Sequence, residues 1–124
     1  MINRWSQNLA GKPTILYESS LRSGQNISFD GNVVVLGDVN AGAEIVASGH
    51  ILVMGALRGL VHAGAGGDED ATITALTFAP TQVRIASHIT RPPEDGAART
   101  GSHRPETARV KEDSVVIEEY QPPR

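Results

Sequence analysis

Glycines return at intervals of 18 through the middle of this 124-residue chain: Gly31, Gly49 and Gly67, Gly24 and Gly42, and Gly37 and Gly55. Laid out at that period, other side chains align too. Leu21, Val39 and Leu57 form one column, Ile27, Ile45 and Ala63 a second, and Arg22, Asn40 and Arg58 a third. A short fixed period marks a chain that stacks similar coils, because no single coil can bury its own apolar side. Eighteen residues divide into three strands of about six, a common strand length. The expected fold is therefore all-β: a parallel β-helix of triangular cross-section with 18-residue coils.

The stretch GHILVMGAL, residues 49–57, sharpens this. A half-buried strand alternates apolar and polar side chains, but residues 51–54 are apolar throughout, so both faces of that strand must leave water. Val33 and Val35 in one coil and Ile51 and Val53 in the next are expected to point inward, with Val39, Ala41, Ile45, Ala47 and Leu57. Their neighbours Val34, Leu36, Leu52 and Met54 then stack side by side on the outside. An apolar strip on the outside of a solenoid is a candidate dimer interface, since a two-fold partner covers it with the same strip. Glycines fit the corners, where the chain bends sharply.

Charge marks the limits of the packed region. Residues 31–66 carry only Asp38, Glu44 and Arg58, whereas residues 91–124 hold thirteen of the chain's twenty-five charges. Residues 1–13 lack a period and are expected to be a linker remnant before a β-helix domain over 14–120. Residues 14–18 read as an entering strand, and 67–70 (GDED) as an acidic loop. ATITALTF and QVRIA read as strands of a last, less regular coil. Residues 91–105 are rich in proline, glycine and charge, the composition of a flexible loop. Residues 107–120 read as a hairpin turning near Glu112 and Asp113, and 121–124 as a tail.

Several function classes find no support. There is no cysteine, hence no disulfide framework or thiolate metal site. His50, His62, His88 and His103 lack a metal-ligand spacing, and Asp68, Glu69 and Asp70 are too few and too close for a calcium loop. No Ser/His/Asp constellation is evident, and the glycines lack the Lys-Ser/Thr of a phosphate loop. No metal, cofactor or catalytic residue is expected. A net charge of −3 argues against nucleic acid as the main partner. No apolar run approaches the ~20 residues of a membrane span, and no signal-peptide pattern opens the chain, so a cytoplasmic location is expected.

LRSGQ (residues 21–25), VVLGDVNAGAEIVASGHILVMGALRG (34–59) and AGAGGDEDATITA (63–75), in that order and spacing, closely resemble the C-terminal domain of the bacterial septum site-determining protein family, MinC. The resemblance implies a right-handed β-helix that forms a homodimer and binds the membrane-associated, ATP-bound MinD ATPase. It implies a non-enzymatic part in inhibiting cell division, by helping to antagonise assembly of the tubulin-like FtsZ ring at the inner face of the membrane. Arg22, Ser23, Gly24 and Gln25 match the family's MinD-binding motif. Asn40 and Arg58 join them through the 18-residue column. At Leu60 many members carry Arg, in an RGR sequence associated with the FtsZ tail; here it reads RGL. Two other β-helix classes compete. One is a hexapeptide-repeat acyltransferase, which requires a catalytic histidine between subunits, for which His50 or His62 would be the candidate. The other is a bactofilin-like structural polymer.

Overall fold

The computed structural model describes residues 12–92 and 104–123. Eleven strands, and no helix among the described residues, wind into stacked coils. They are β1 (Thr14–Tyr17), β2 (Asn26–Phe29), β3 (Asn32–Val35), β4 (Glu44–Ala47), β5 (Ile51–Leu57), β6 (Leu60–Ala63), β7 (Ile73–Phe78), β8 (Gln82–Ile85), β9 (His88–Thr90), β10 (Glu106–Lys111) and β11 (Ser114–Glu119). One side of the solenoid is a six-stranded sheet, β1-β3-β5-β7-β10-β11; another is a five-stranded sheet, β2-β4-β6-β8-β9. The third side is narrow and held by the bridges Leu21–Val39–Leu57. Successive coils pair in parallel, as a solenoid requires.

Alternation explains the core. Val33, Val35, Ile51, Val53, Ile73 and Ala75 face inward from the first sheet, Ile45, Ala47, Val61, Ala63, Val83 and Ile85 from the second, and Leu21, Val39 and Leu57 from the third side; all are buried. These are small, mostly β-branched side chains, which suit a narrow interior. At the corners, side chains close the backbone hydrogen bonds that the bending chain cannot. Ser20 Oγ accepts the Asp38 N–H at 2.9 Å, and Asp38 Oδ1 accepts the Ala56 N–H at 2.8 Å. Asn32 Oδ1 accepts the His50 N–H at 2.8 Å, and His50 Nδ1 accepts the Thr72 N–H at 3.0 Å.

The 18-residue period holds for the first step, where Thr14 pairs with Asn32, Asn26 with Glu44 and Val33 with Ile51. It then breaks twice. Glu44 pairs with Leu60 and Ile45 with Val61, a step of 16, because the corner between Leu57 and Leu60 is two residues shorter than the one between Val39 and Glu44. The second column is therefore Ile27–Ile45–Val61, not Ile27–Ile45–Ala63. Next, Ile51 pairs with Ile73 and Leu60 with Gln82, a step of 22, because residues 64–70 loop out. Gly67 lies in that loop, so its 18-residue spacing from Gly49 is coincidental. Ala41, expected inside, is exposed at a turn, and the buried alanine of that corner is Ala43.

Past the regular coils the chain reverses. β9 runs antiparallel to β8, and β10 antiparallel to β7. β10 and β11 form a hairpin whose two turn residues, Glu112 and Asp113, both have positive φ (52° and 64°), the requirement of a type I′ turn. The hairpin buries Ala108 and lays Val110, Val115 and Ile117 against the core. On its outer side Lys111 and Arg109 pair with Glu118, and the hydrogen bond from Lys111 holds that carboxyl below the usual carboxylate range. Residues 1–11 and 93–103 lie outside the described residues, and with them most of the expected linker remnant and most of the expected 91–105 loop.

Candidate functional site

Two surfaces on different sides of the solenoid carry the candidate residues. The first is a turn and a column at the corner between the third side and the five-stranded sheet. Residues 22–25 form a tight turn in which the Gln25 N–H donates to the Arg22 carbonyl at 2.9 Å. Gln25 Oε1 accepts the Arg22 N–H at 2.7 Å, closing the turn from the side-chain end. The Gly24 N–H donates to the Gly42 carbonyl at 2.9 Å, so this turn rests on the equivalent turn one coil later. Both glycines have φ of 89°, a region that L side chains rarely adopt.

The stacking makes Gly42 a support for the motif. A Cβ at Gly42 would overlap Ser23 Oγ, whereas a Cβ at Gly24 would meet nothing within 4 Å. Gly42→Ala is expected to cost about 1–2 kcal/mol from the left-handed backbone alone. It should also push Ser23 out of place. Chemical denaturation measures the first effect, and amide chemical-shift changes that reach residues 22–25 the second.

Below Arg22 the column continues as expected. Asn40 Nδ2 donates to the Leu21 carbonyl at 2.9 Å, and Asn40 Oδ1 accepts from Arg58 Nη1 at 3.3 Å. Asn40 thus ties the third coil's arginine to the first coil's backbone. Coils stack at roughly 4.8 Å, so Arg22 and Arg58, two coils apart, lie about 10 Å from each other. Both arginines are exposed, and among the described residues neither guanidinium meets a carboxylate. Paired guanidiniums without an internal counter-ion suit carboxylates on a partner.

The second surface is the outer face of the six-stranded sheet. Leu16, Val34, Leu52 and Thr74 stand in one row across β1, β3, β5 and β7. Leu36 and Met54 are 42% and 45% exposed, while Val34 and Leu52 are half-buried. The four side chains of the expected strip face outward together, and the strip runs further than those four. Leu16, 54% exposed, extends it at one end, and Leu76, 39% exposed, at the other. Leu16 lies 18 residues before Val34, so the period itself contained that signal. Leu76 follows the looped-out residues 64–70 and falls outside any 18-residue column. Thr74 and Thr107, hydroxyl to hydroxyl at 2.9 Å, begin the polar margin, which the charged hairpin completes.

The remaining side, the outer face of the five-stranded sheet, holds Leu60 and His62. Leu60 pairs with Glu44 and Gln82 and faces outward, around the corner from Arg58. His62 Nε2 donates to the Ala86 carbonyl at 3.1 Å, as does Arg84 Nε at 3.2 Å. Partial burial lowers the His62 pKa; the Ala86 bond opposes this, Arg84 reinforces it and Glu44 opposes it. The folded state therefore favours neutral imidazole. The stability this contributes is present above the ordinary histidine pKa of about 6.5 and is lost as pH falls through the lower folded value. A titration followed by NMR should place the His62 midpoint below that of a histidine in an unfolded peptide, and His62→Gln should flatten the stability profile in that window. His50 sits at a corner of the six-stranded sheet, so the two histidines do not converge. Among the described residues no three His, Asp or Glu side chains are placed to hold a metal ion. No helix there is long and apolar enough to cross a membrane.

Residues 15–120 match the family model of the septum formation inhibitor MinC, C-terminal domain. The chain belongs to the MinC C-terminal domain family. It is similar to the probable septum site-determining protein MinC of Acetivibrio thermocellus, 48% identical over all of this chain and 54% of that protein. The corresponding protein of Heliobacterium modesticaldum is 52% identical over 86% of this chain and 36% of its own length. The chain thus spans about half or less of these MinC relatives. The fold is similar to a chain in the solved MinC:MinD cell division protein complex of Aquifex aeolicus, with a TM-score of 0.80 and 37% identity over 90% of this chain and 89% of that one.

Proposed function

We propose that this domain is a dimeric adaptor of the division-inhibition machinery that makes two contacts at once. The outer face of the six-stranded sheet, with Val34, Leu36, Leu52 and Met54 at its centre and Leu16 and Leu76 at its ends, joins two copies. The corner bearing Arg22, Ser23, Gly24, Gln25, Asn40 and Arg58 docks on MinD in its ATP-bound, membrane-associated form. The observation that carries the reading is the separation of these two surfaces on different sides of one solenoid in a member of the MinC family. A relative solved in complex with MinD supports the choice of partner. Recruitment to the membrane then places an FtsZ antagonist where the division ring assembles. With Leu60 in place of the arginine found in many relatives, direct grip on the FtsZ tail from that position is not part of the proposal.

The domain acts by binding rather than by catalysis. His50 and His62 lie on different sides, and His62 is engaged with the Ala86 carbonyl. Capture of the domain by immobilised MinD, compared in ATP and in ADP, tests the reading: retention is expected in ATP and absence in ADP. Equal retention in both nucleotides, or acetyl transfer from acetyl-CoA to an amine that is lost in His50→Ala or His62→Ala, overturns it.

A further inference from the structure

Sulfur is scarce in this chain and badly placed for oxidative stress. There are two methionines, Met1 and Met54, and no cysteine. Met54 is the only sulfur-bearing side chain among the described residues, and it stands 45% exposed on the outer face of β5. Leu36, one residue past the end of β3, and Leu76 on β7 flank it, themselves 42% and 39% exposed, with half-buried Leu52 two residues back on the same strand as Met54. The strand is irregular here: between Val53 and Ala56 the pairing to β7 slips, so the thioether sits on a bulge. Solvent reaches it in a free protomer and meets no thiol that would react first.

The geometry points to Met54 as an oxidation site that controls self-association. The inference rests on the reading of this face as the dimer interface. A hydroperoxide transfers its terminal oxygen to a lone pair of Sδ. The O–O bond breaks, the S–O bond forms, sulfur loses two electrons, and hydrogen peroxide is reduced to water. A flexible apolar side chain becomes a polar sulfoxide. On a two-fold interface the change enters twice, once from each copy. Each sulfoxide oxygen must then leave water for a leucine-lined surface without a donor, at a cost of roughly tenfold in the dissociation constant. Two of them weaken the dimer about a hundredfold. Within the dimer the same sulfur is covered, so oxidation draws on the free protomer and proceeds faster at low protein concentration. Methionine sulfoxide reductases reverse the change, which makes it a switch rather than damage.

The test exposes the domain to hydrogen peroxide and follows two quantities. Trypsin cuts after Arg22 and Arg58, so the intervening peptide holds Met54 as its one methionine, and its gain of one oxygen is read by mass spectrometry. Sedimentation velocity gives the dissociation constant before and after. The expected result is a dissociation constant about a hundredfold higher once Met54 is oxidised, with an unchanged far-ultraviolet spectrum. Met54→Leu, whatever its own starting constant, should show no change on the same treatment, and Met54→Gln should weaken association without peroxide. Complete oxidation of Met54 with an unaltered dimer overturns this inference alone. An equal rise in the constant of Met54→Leu overturns it as well. A wild-type domain that is monomeric at tens of micromolar before any peroxide removes both the inference and the dimer reading beneath it.

Discussion

Leu52→Asp should give a domain that is folded and monomeric. Leu52 points out of the solenoid from β5, between Val34 on β3 and Thr74 on β7 in the register of the sheet. Its neighbours Ile51 and Val53 carry the core. An aspartate at this position stays in water in the free protomer and leaves the interior untouched, so the denaturation midpoint should move little. In the dimer the substitution is present twice, and each carboxylate is forced against leucine side chains with no basic partner. An unpaired buried charge costs about 3–5 kcal/mol, which at 1.4 kcal/mol per decade is a loss of more than a hundredfold in affinity from one copy alone. Sedimentation equilibrium at tens of micromolar reads the outcome. A dimer that survives Leu52→Asp would show that the two copies meet elsewhere.

Arg22→Ala should abolish capture by ATP-bound MinD while leaving fold and dimer intact. The turn at residues 22–25 is made by the Arg22 backbone: its carbonyl accepts from Gln25 N–H and its N–H donates to Gln25 Oε1. Among the described residues the guanidinium has no partner to lose. Removing one member of a buried charged pair at an interface costs about 2–5 kcal/mol, roughly thirtyfold to several thousandfold in affinity. Gln25→Ala is a less clean probe, because it also takes away the acceptor that closes the turn. Isothermal titration with MinD and ATP distinguishes the outcomes; unchanged affinity in Arg22→Ala would move the docking surface off this corner.

The legible part of this structure is the part where the repeat is strict. Arg22, Asn40 and Arg58 could be placed on one line because the narrow third side keeps its 18-residue step through Leu21, Val39 and Leu57. The neighbouring column failed at its third member for a local reason. The corner after Arg58 is two residues shorter, and Val61 rather than Ala63 slides under Ile45. A period read from glycines cannot detect that, since Gly67 keeps the spacing while sitting in a loop. Ala41 shows the same weakness: alternation places it inside, but a turn interrupts the alternation before Gly42. The apolar strip was visible where β3 and β5 each run apolar on both faces, and invisible at Leu76, beyond the looped-out residues 64–70. The hairpin announced itself through two strand-like stretches on either side of the polar pair Glu112 and Asp113. The β8–β9 reversal did not, because it turns through Ala86, a non-glycine residue at φ 55°.

Dimerisation and docking on separate surfaces make a prediction about effective concentration. A dimer of the proposed kind would present two docking corners, so a second MinD contact on the same membrane would form at the high local concentration set by the first. Neither contact should displace the other. Energy transfer between two copies of the domain, labelled as donor and acceptor away from both surfaces, measures it directly while MinD, ATP and liposomes are added and the pellet is assayed. The domain is expected to move to the liposome pellet with its transfer efficiency unchanged. Loss of transfer on recruitment would contradict it, because MinD and the second copy would then be competing for one face.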